Sequence, residues 1–180
     1  MADQPCFRFA HVAPGAIRRE SARLGGVLLD GINHVAVLTS DTDRLVEFYG
    51  EVFGATVDGE MRPEDGFRLT LVKVGPHSEL NVFEIAENDE AGRQVPMFGR
   101  GRLDHLGLQA SDLEAFDAIR DRLMERGASD GFVTDFGHVL SVFFTDPDGL
   151  EAEVCVANPD AQPGVLNPPG TPSPRYHAIG

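Results

Sequence analysis

Two histidines, His34 and His105, stand 71 residues apart in matching surroundings, Asn33-His34-Val35-Ala36-Val37-Leu38 and Asp104-His105-Leu106-Gly107-Leu108-Gln109. In an extended chain successive side chains point to opposite faces, so each imidazole faces away from the aliphatic residues that follow it. A second matched pair lies further on. Leu80-Asn81-Val82 and Ala152-Glu153-Val154 alternate in the same way, and Asn81 corresponds to Glu153 at a separation of 72. The same parity puts His34, His105, Asn81 and Glu153 on one face. A lone strand histidine is more often a hydrogen-bonded structural residue, and Glu153 alone would be a solvated edge carboxylate. Two imidazoles at repeat-equivalent places with one carboxylate instead make a donor set for Fe(II), Mn(II), Ni(II) or Zn(II) with open coordination positions. Ala36 and Gly107, two residues after each histidine, are small enough to leave room for a ligand. Phe83 and Cys155, beside Asn81 and Glu153, give that pocket a partly apolar wall. His138, at the start of a strand-like run, is the candidate acid or base near the site, or a residue of its rim. Glu151 reads as an edge or rim carboxylate. His11, His77 and His177 fall in loops or tails and read as solvated.

Positioning these residues takes two copies of one structural unit. Each histidine-bearing strand ends in a polar turn, Thr39-Ser40-Asp41 or Ala110-Ser111-Asp112, and enters a helical pattern. Leu45, Phe48, Val52 and Phe53 recur at helical spacing before Gly54. Leu113, Phe116, Ile119 and Leu123 do so before Gly127. Ser111 followed by Glu114 fits a capping box, and a glycine past the last turn suits a left-handed stop. Three strands follow each helix, roughly 55–57, 67–74 and 79–86 in the first copy and 130–134, 139–145 and 150–156 in the second. Gly75-Pro76 and Asp146-Pro147-Asp148-Gly149 supply turns. The expected fold is therefore α+β, with two βαβββ modules (31–86 and 102–157) joined by a linker (87–101) in one domain. Residues 1–30 form an N-terminal extension. The segment 158–180 carries six of the chain's 12 prolines and reads as an extended tail.

The 180 residues include 15 basic and 29 acidic side chains, a net charge of −14. Nucleic acid and anionic membrane surfaces recruit lysine and arginine, so neither is an expected partner. Cys6 and Cys155 form no CxxC pair or disulfide framework, the N-terminus has no apolar signal core, and no run approaches a membrane span. These features predict a soluble, cytoplasmic protein.

Paired βαβββ modules, the Asn33-His34-Val35 start, Phe48-Tyr49 before Gly54, and Asp146-Pro147-Asp148-Gly149 four residues ahead of Glu153 resemble the vicinal oxygen chelate superfamily. That group holds glyoxalase I, extradiol dioxygenases, fosfomycin-resistance enzymes, methylmalonyl-CoA epimerase and bleomycin-resistance proteins. The resemblance covers about residues 31–157. It implies an eight-stranded mixed-sheet cup around a divalent metal that chelates two adjacent oxygens of a small substrate, with His34, His105 and Glu153 as ligands. Dioxygenation, or isomerase or lyase chemistry through a metal-stabilised enolate, would follow. The chain departs from glyoxalase I at Asn81, where that enzyme has a fourth ligand, usually glutamate; the epimerase has an amide there. The alternative within the resemblance is a non-catalytic small-molecule or drug-binding protein of the bleomycin-resistance kind. Members often dimerise, which makes a homodimer the expected assembly.

Overall fold

A computed structural model describes residues 31–62 and 66–164. The chain divides at Gly31, and Ile32–Gly180 form one unit. The N-terminal extension 1–30, with His11 and Cys6, and the tail from 165 onward, with His177, lie outside the described residues.

The first module contains β1 (His34–Thr39), α1 (Thr42–Phe53), β2 (Thr56–Met61), β3 (Phe67–Lys73) and β4 (Glu79–Ile85). The second contains β5 (Leu106–Gln109), α2 (Leu113–Glu125), β6 (Val133–Asp135), β7 (Val139–Thr145) and β8 (Glu151–Ala157). The strands form two mixed four-stranded sheets, β1-β4-β3-β2 and β5-β8-β7-β6, rather than one continuous sheet of eight. Within each sheet the histidine-bearing strand is an edge and runs parallel to the last strand of its module, with Ala36 opposite Asn81 and Gly107 opposite Glu153. The two registers superpose the repeat seen in the sequence.

Local chemistry explains the element ends. Asp41 caps α1 by accepting from Arg44 N at 3.0 Å, and Gly54 closes it in the left-handed region at φ 71°. At α2 the expected Ser111–Glu114 box gives way to Asp112, whose carboxylate accepts from Ala115 N at 2.8 Å; Ser111 Oγ only leans on that carboxylate. An aspartate can cap by itself, and its charge also suits the helix N-terminus. Strand β2 runs past the expected stop at Val57 because polar cross-strand partners carry it on: Glu60 takes an ion pair from Arg68 at 2.7 Å. Strand β6 is shorter than expected. Buried Ser129 and exposed Asp130 accept from Gly131 N and Phe132 N, so the backbone there is a turn.

The valines of β1, Val35 and Val37, turn towards a core shared by both modules, and His34 and Ala36 face outward. Leu45, Phe48, Tyr49 and Val52 of α1 and Phe116 and Leu123 of α2 pack there with Leu80, Val82, Val142 and Val154. Burying each such side chain stabilises the fold by about 1.5–3 kcal/mol. Phe144 of the second module lies 5.3 Å from Phe53 and 6.3 Å from Phe48 of the first, ring centre to ring centre. Arg122 of α2 donates to the Val52 carbonyl at the C-terminal end of α1. Asp148, in the β7–β8 turn, accepts from Thr39 Oγ1, Ser40 Oγ and Arg44 at 2.5, 2.8 and 2.7 Å, a clamp between modules. No helix among the described residues is long and apolar enough to cross a membrane.

Candidate metal centre

His105 immediately precedes β5, and Glu153 lies on the adjacent β8. Their side chains meet, with His105 Nε2 3.3 Å from Glu153 Oε1. Both are held from behind. Asp104 Oδ2 accepts from His105 Nδ1 at 2.8 Å, and the hydrogen bond holds the Asp104 carboxyl below the usual carboxylate range. Ser141, fully buried on β7, donates to Glu153 Oε2 at 2.5 Å. The Phe143 ring stands edge-on to the imidazole, 6.4 Å centre to centre. Gly107 lies opposite Glu153, and a Cβ there would sit 3.4 Å from Glu153 Oε1, at the near edge of ordinary van der Waals contact.

The first module repeats this plan with different chemistry. Asn33 Oδ1 lies 2.8 Å from His34 Nδ1, so the residue before each histidine engages the same ring nitrogen. Asn81 sits where Glu153 sits, and its Oδ1 is buried without a hydrogen-bond partner. A buried carbonyl oxygen with no donor costs about 1–3 kcal/mol, and a cation or a ligand donor would relieve it. Phe83, two residues along β4, packs on Phe67 with ring centres 6.1 Å apart.

These two halves remain apart. Among the described residues no three histidine, cysteine, aspartate or glutamate side chains converge as a metal-binding group. The structure brings together His105 and Glu153 and leaves His34, exposed on β1, outside that pair. His34 instead lines a cavity of about 640 Å3 with Phe53, Leu106, Gly107, Leu108 and Ile119, to which neither Asn81 nor Glu153 contributes. His138 is remote from the pair. Val139 is opposite Ala157 whereas Phe143 is opposite Glu153, and His138 lies five residues from Phe143, roughly 16 Å along the strand. Its ring approaches only the Phe136 carbonyl, so it is an exposed residue near the far end of β8. Cys155 lies beside Glu153, and burial, with the Glu153 charge adding to it, pushes its thiol up to about 12. Glu151 is not on the rim. It is buried against Arg100 at 3.0 Å and accepts from Met97 N at 2.7 Å, fastening the linker to β8.

Asp104 and Ser141 are site residues that the sequence reading passed over. Ser141 could be found from β7 parity, since it pairs with Cys155 and shares the face of Phe143 and Glu153. Asp104 was visible only as the residue aligned with Asn33 in the repeat.

Two βαβββ modules, each offering one histidine and one oxygen donor, define a class of small enzymes and binding proteins built on a duplicated unit. The family model for the Glyoxalase/Bleomycin resistance protein/Dioxygenase superfamily matches residues 31–154, and the chain belongs to that superfamily. A 2-epi-5-epi-valiolone epimerase from Actinomyces sp. is 28% identical over 142 residues, covering 68% of this chain and 77% of the epimerase. A lactoylglutathione lyase from Arabidopsis thaliana is 28% identical over 132 residues, covering 72% of this chain but only 45% of the lyase. A glyoxylase/bleomycin resistance protein/dioxygenase domain from Frankia sp. EAN1pec shares the fold at a TM-score of 0.60 and 19% identity, covering 73% of this chain and 94% of the domain.

Proposed function

We propose that the protein is a divalent-metal-dependent enzyme of the glyoxalase and extradiol dioxygenase kind, with His34, His105 and Glu153 holding the ion and Asn81 beside them. The observation that carries this reading is the His105–Glu153 pair. With Nδ1 donating to Asp104, a neutral His105 turns the Nε2 lone pair towards a carboxylate oxygen 3.3 Å away, and a shared cation reconciles two such atoms. The unsatisfied Asn81 oxygen is the matching feature of the other half. Because the halves do not converge within one chain, the reading has each metal held between two copies, His34 and Asn81 from one and His105 and Glu153 from the other.

A divalent ion held there supplies Lewis-acid polarisation of two adjacent oxygens on a small substrate. The chain's own groups do the rest. Ser141 fixes Glu153 Oε2, which leaves Oε1 facing His105. The high pKa of Cys155 keeps it a neutral thiol, a wall of the site and not a nucleophile. Phe83 and Phe143 add apolar walls that strengthen electrostatic interactions inside the site. The relatives named as an epimerase and a lyase favour isomerase or lyase chemistry over dioxygenation.

Metal content measured on protein purified without chelators tests the centre. Wild type should retain metal, and His34→Ala, His105→Ala and Glu153→Ala should each lose it; stoichiometric metal in all three variants overturns the reading. Co-expressing His34→Ala with His105→Ala tests the shared site. Mixed dimers have one intact site of two, so about a quarter of all sites should regain metal if chains pair at random. No recovery would place all three ligands in one chain.

A further inference from the structure

We propose that Asp104 is a positioning residue that selects the tautomer of His105, and that the linker between the modules is folded to hold it. The inference rests on the metal-centre reading only in naming Nε2 as the atom offered to the metal.

Both carboxylate oxygens of Asp104 are engaged. Oδ2 accepts from His105 Nδ1 and Oδ1 accepts from the Phe98 backbone N–H. The linker is built to bring that N–H there. Phe98 is a non-glycine residue in the left-handed region, at φ 68°, a backbone state that persists only where surrounding structure over-determines it. Around it, a Cβ on Gly99 would come within 2.9 Å of Val95, so the loop closes tightly on itself. Arg100 then locks the loop from inside. Its guanidinium pairs with Glu151 at 3.0 Å, donates to the Glu151 carbonyl at 3.0 Å and to the Asp104 carbonyl at 3.3 Å, and reaches the Val95 carbonyl. The chain from Glu151 of β8 through Arg100 and Phe98 ends on Asp104. Asp104 is thus fixed to the same strand that carries Glu153.

With both oxygens acting as acceptors, Asp104 permits one arrangement on a neutral His105, the proton on Nδ1 and the lone pair on Nε2. An asparagine there could not serve both donors with its single oxygen. Kept against Phe98 N–H, it would turn its NH2 towards Nδ1 and move the histidine proton to Nε2, the atom that faces Glu153. Asn33, in the same place before His34, accepts from its histidine with no second side-chain hydrogen bond, so the two histidines are not equivalently held.

The test reads the tautomer directly, by two-bond 15N–1H correlation of the imidazoles in metal-free protein. Spectra are taken over a pH series and read on its alkaline side, where they no longer change with pH and the rings are neutral. His105, assigned by its absence in His105→Gln, should show the proton on Nδ1 in the wild type and on Nε2 in Asp104→Asn. Mn(II) affinity measured by titration calorimetry should fall 10- to 100-fold in Asp104→Asn, the usual cost of losing a partner behind a metal ligand. A wild-type spectrum with the proton on Nε2 overturns the proposal without any variant, so a variant that fails to fold leaves it decided. An unchanged tautomer in folded Asp104→Asn overturns it too. Wild-type protein with the expected tautomer and no affinity for Mn(II), Fe(II), Ni(II) or Zn(II) would instead remove the metal reading and leave the role of Asp104 standing.

Discussion

At the scale of single residues, the site depends on short polar side chains placed behind the chemically prominent ones. Strand parity was enough to bring His34, His105, Asn81 and Glu153 to notice, because a polar group at a fixed phase in an aliphatic run stands out. Ser141 carries the same phase signal on β7 but no repeat partner to single it out, and Asp104 owes its importance to a linker amide that the linear sequence does not bring near it. Gly107 lies against the Glu153 carboxylate, a contact that strand parity alone does not display. Cys155 offers a residue-scale prediction. With its thiol pushed up to about 12 by burial and by the Glu153 charge, its thiolate fraction near neutral pH should be on the order of a thousandfold below that of an unperturbed cysteine. In a Cys6→Ser background, a disulfide reagent should label the native protein at least a hundredfold more slowly than the guanidinium-unfolded chain. Equal rates would show an accessible, ionised thiol.

At the scale of elements, both helices and six of the eight strands were readable to within two or three residues of their observed positions, with β2 ending and β5 starting four residues later than expected. Apolar periodicity, Gly54 and Gly127 carried that information. The charged stretch of β2 resisted reading, since its support comes from Arg68 on a different strand. The Asp146-Pro147-Asp148-Gly149 turn was legible as a turn but not as two unlike carboxylates. Asp146 lies inward, where burial, with Asp148 nearby, pushes its carboxyl up to about 6 despite hydrogen bonds from the Asp148 and Leu150 amides. A folded-state pKa above the unfolded one means that the folded state binds the proton more tightly. The corresponding stability is fully present below about pH 3.9 and is lost as pH rises through about 6. Asp146→Asn keeps an oxygen for the same amides without the charge. The variant should therefore gain on the wild type between pH 4 and 7, by up to about 3 kcal/mol, and the difference should level off above that range. Urea unfolding of both proteins across the range measures it. A constant difference would show that Asp146 ionises in the folded protein as it does in the unfolded chain.

At the scale of the whole molecule, the repeat predicted paired modules, and the core packs Phe53 and Phe48 of the first against Phe144 of the second. What the sequence could not show is that the modules keep separate sheets. Strand runs reveal which segments extend but not which edges pair, and among the described residues the backbone ladders of β1 and β5 stay within their own modules. That separation has a consequence for how the chain acquires its structure. Every ladder closes within a stretch of about 55 residues, whereas the Asp148 clamp joins residues 108 apart in sequence. Local pairings are the cheaper loops to close, so each sheet should be largely assembled at the rate-limiting barrier and the seam between modules should form on the downhill side. Asp148→Ala should then accelerate unfolding and leave the refolding rate nearly unchanged in stopped-flow urea jumps. A slowed refolding limb would instead make the seam the nucleus, and the two modules a single kinetic unit despite their separate sheets.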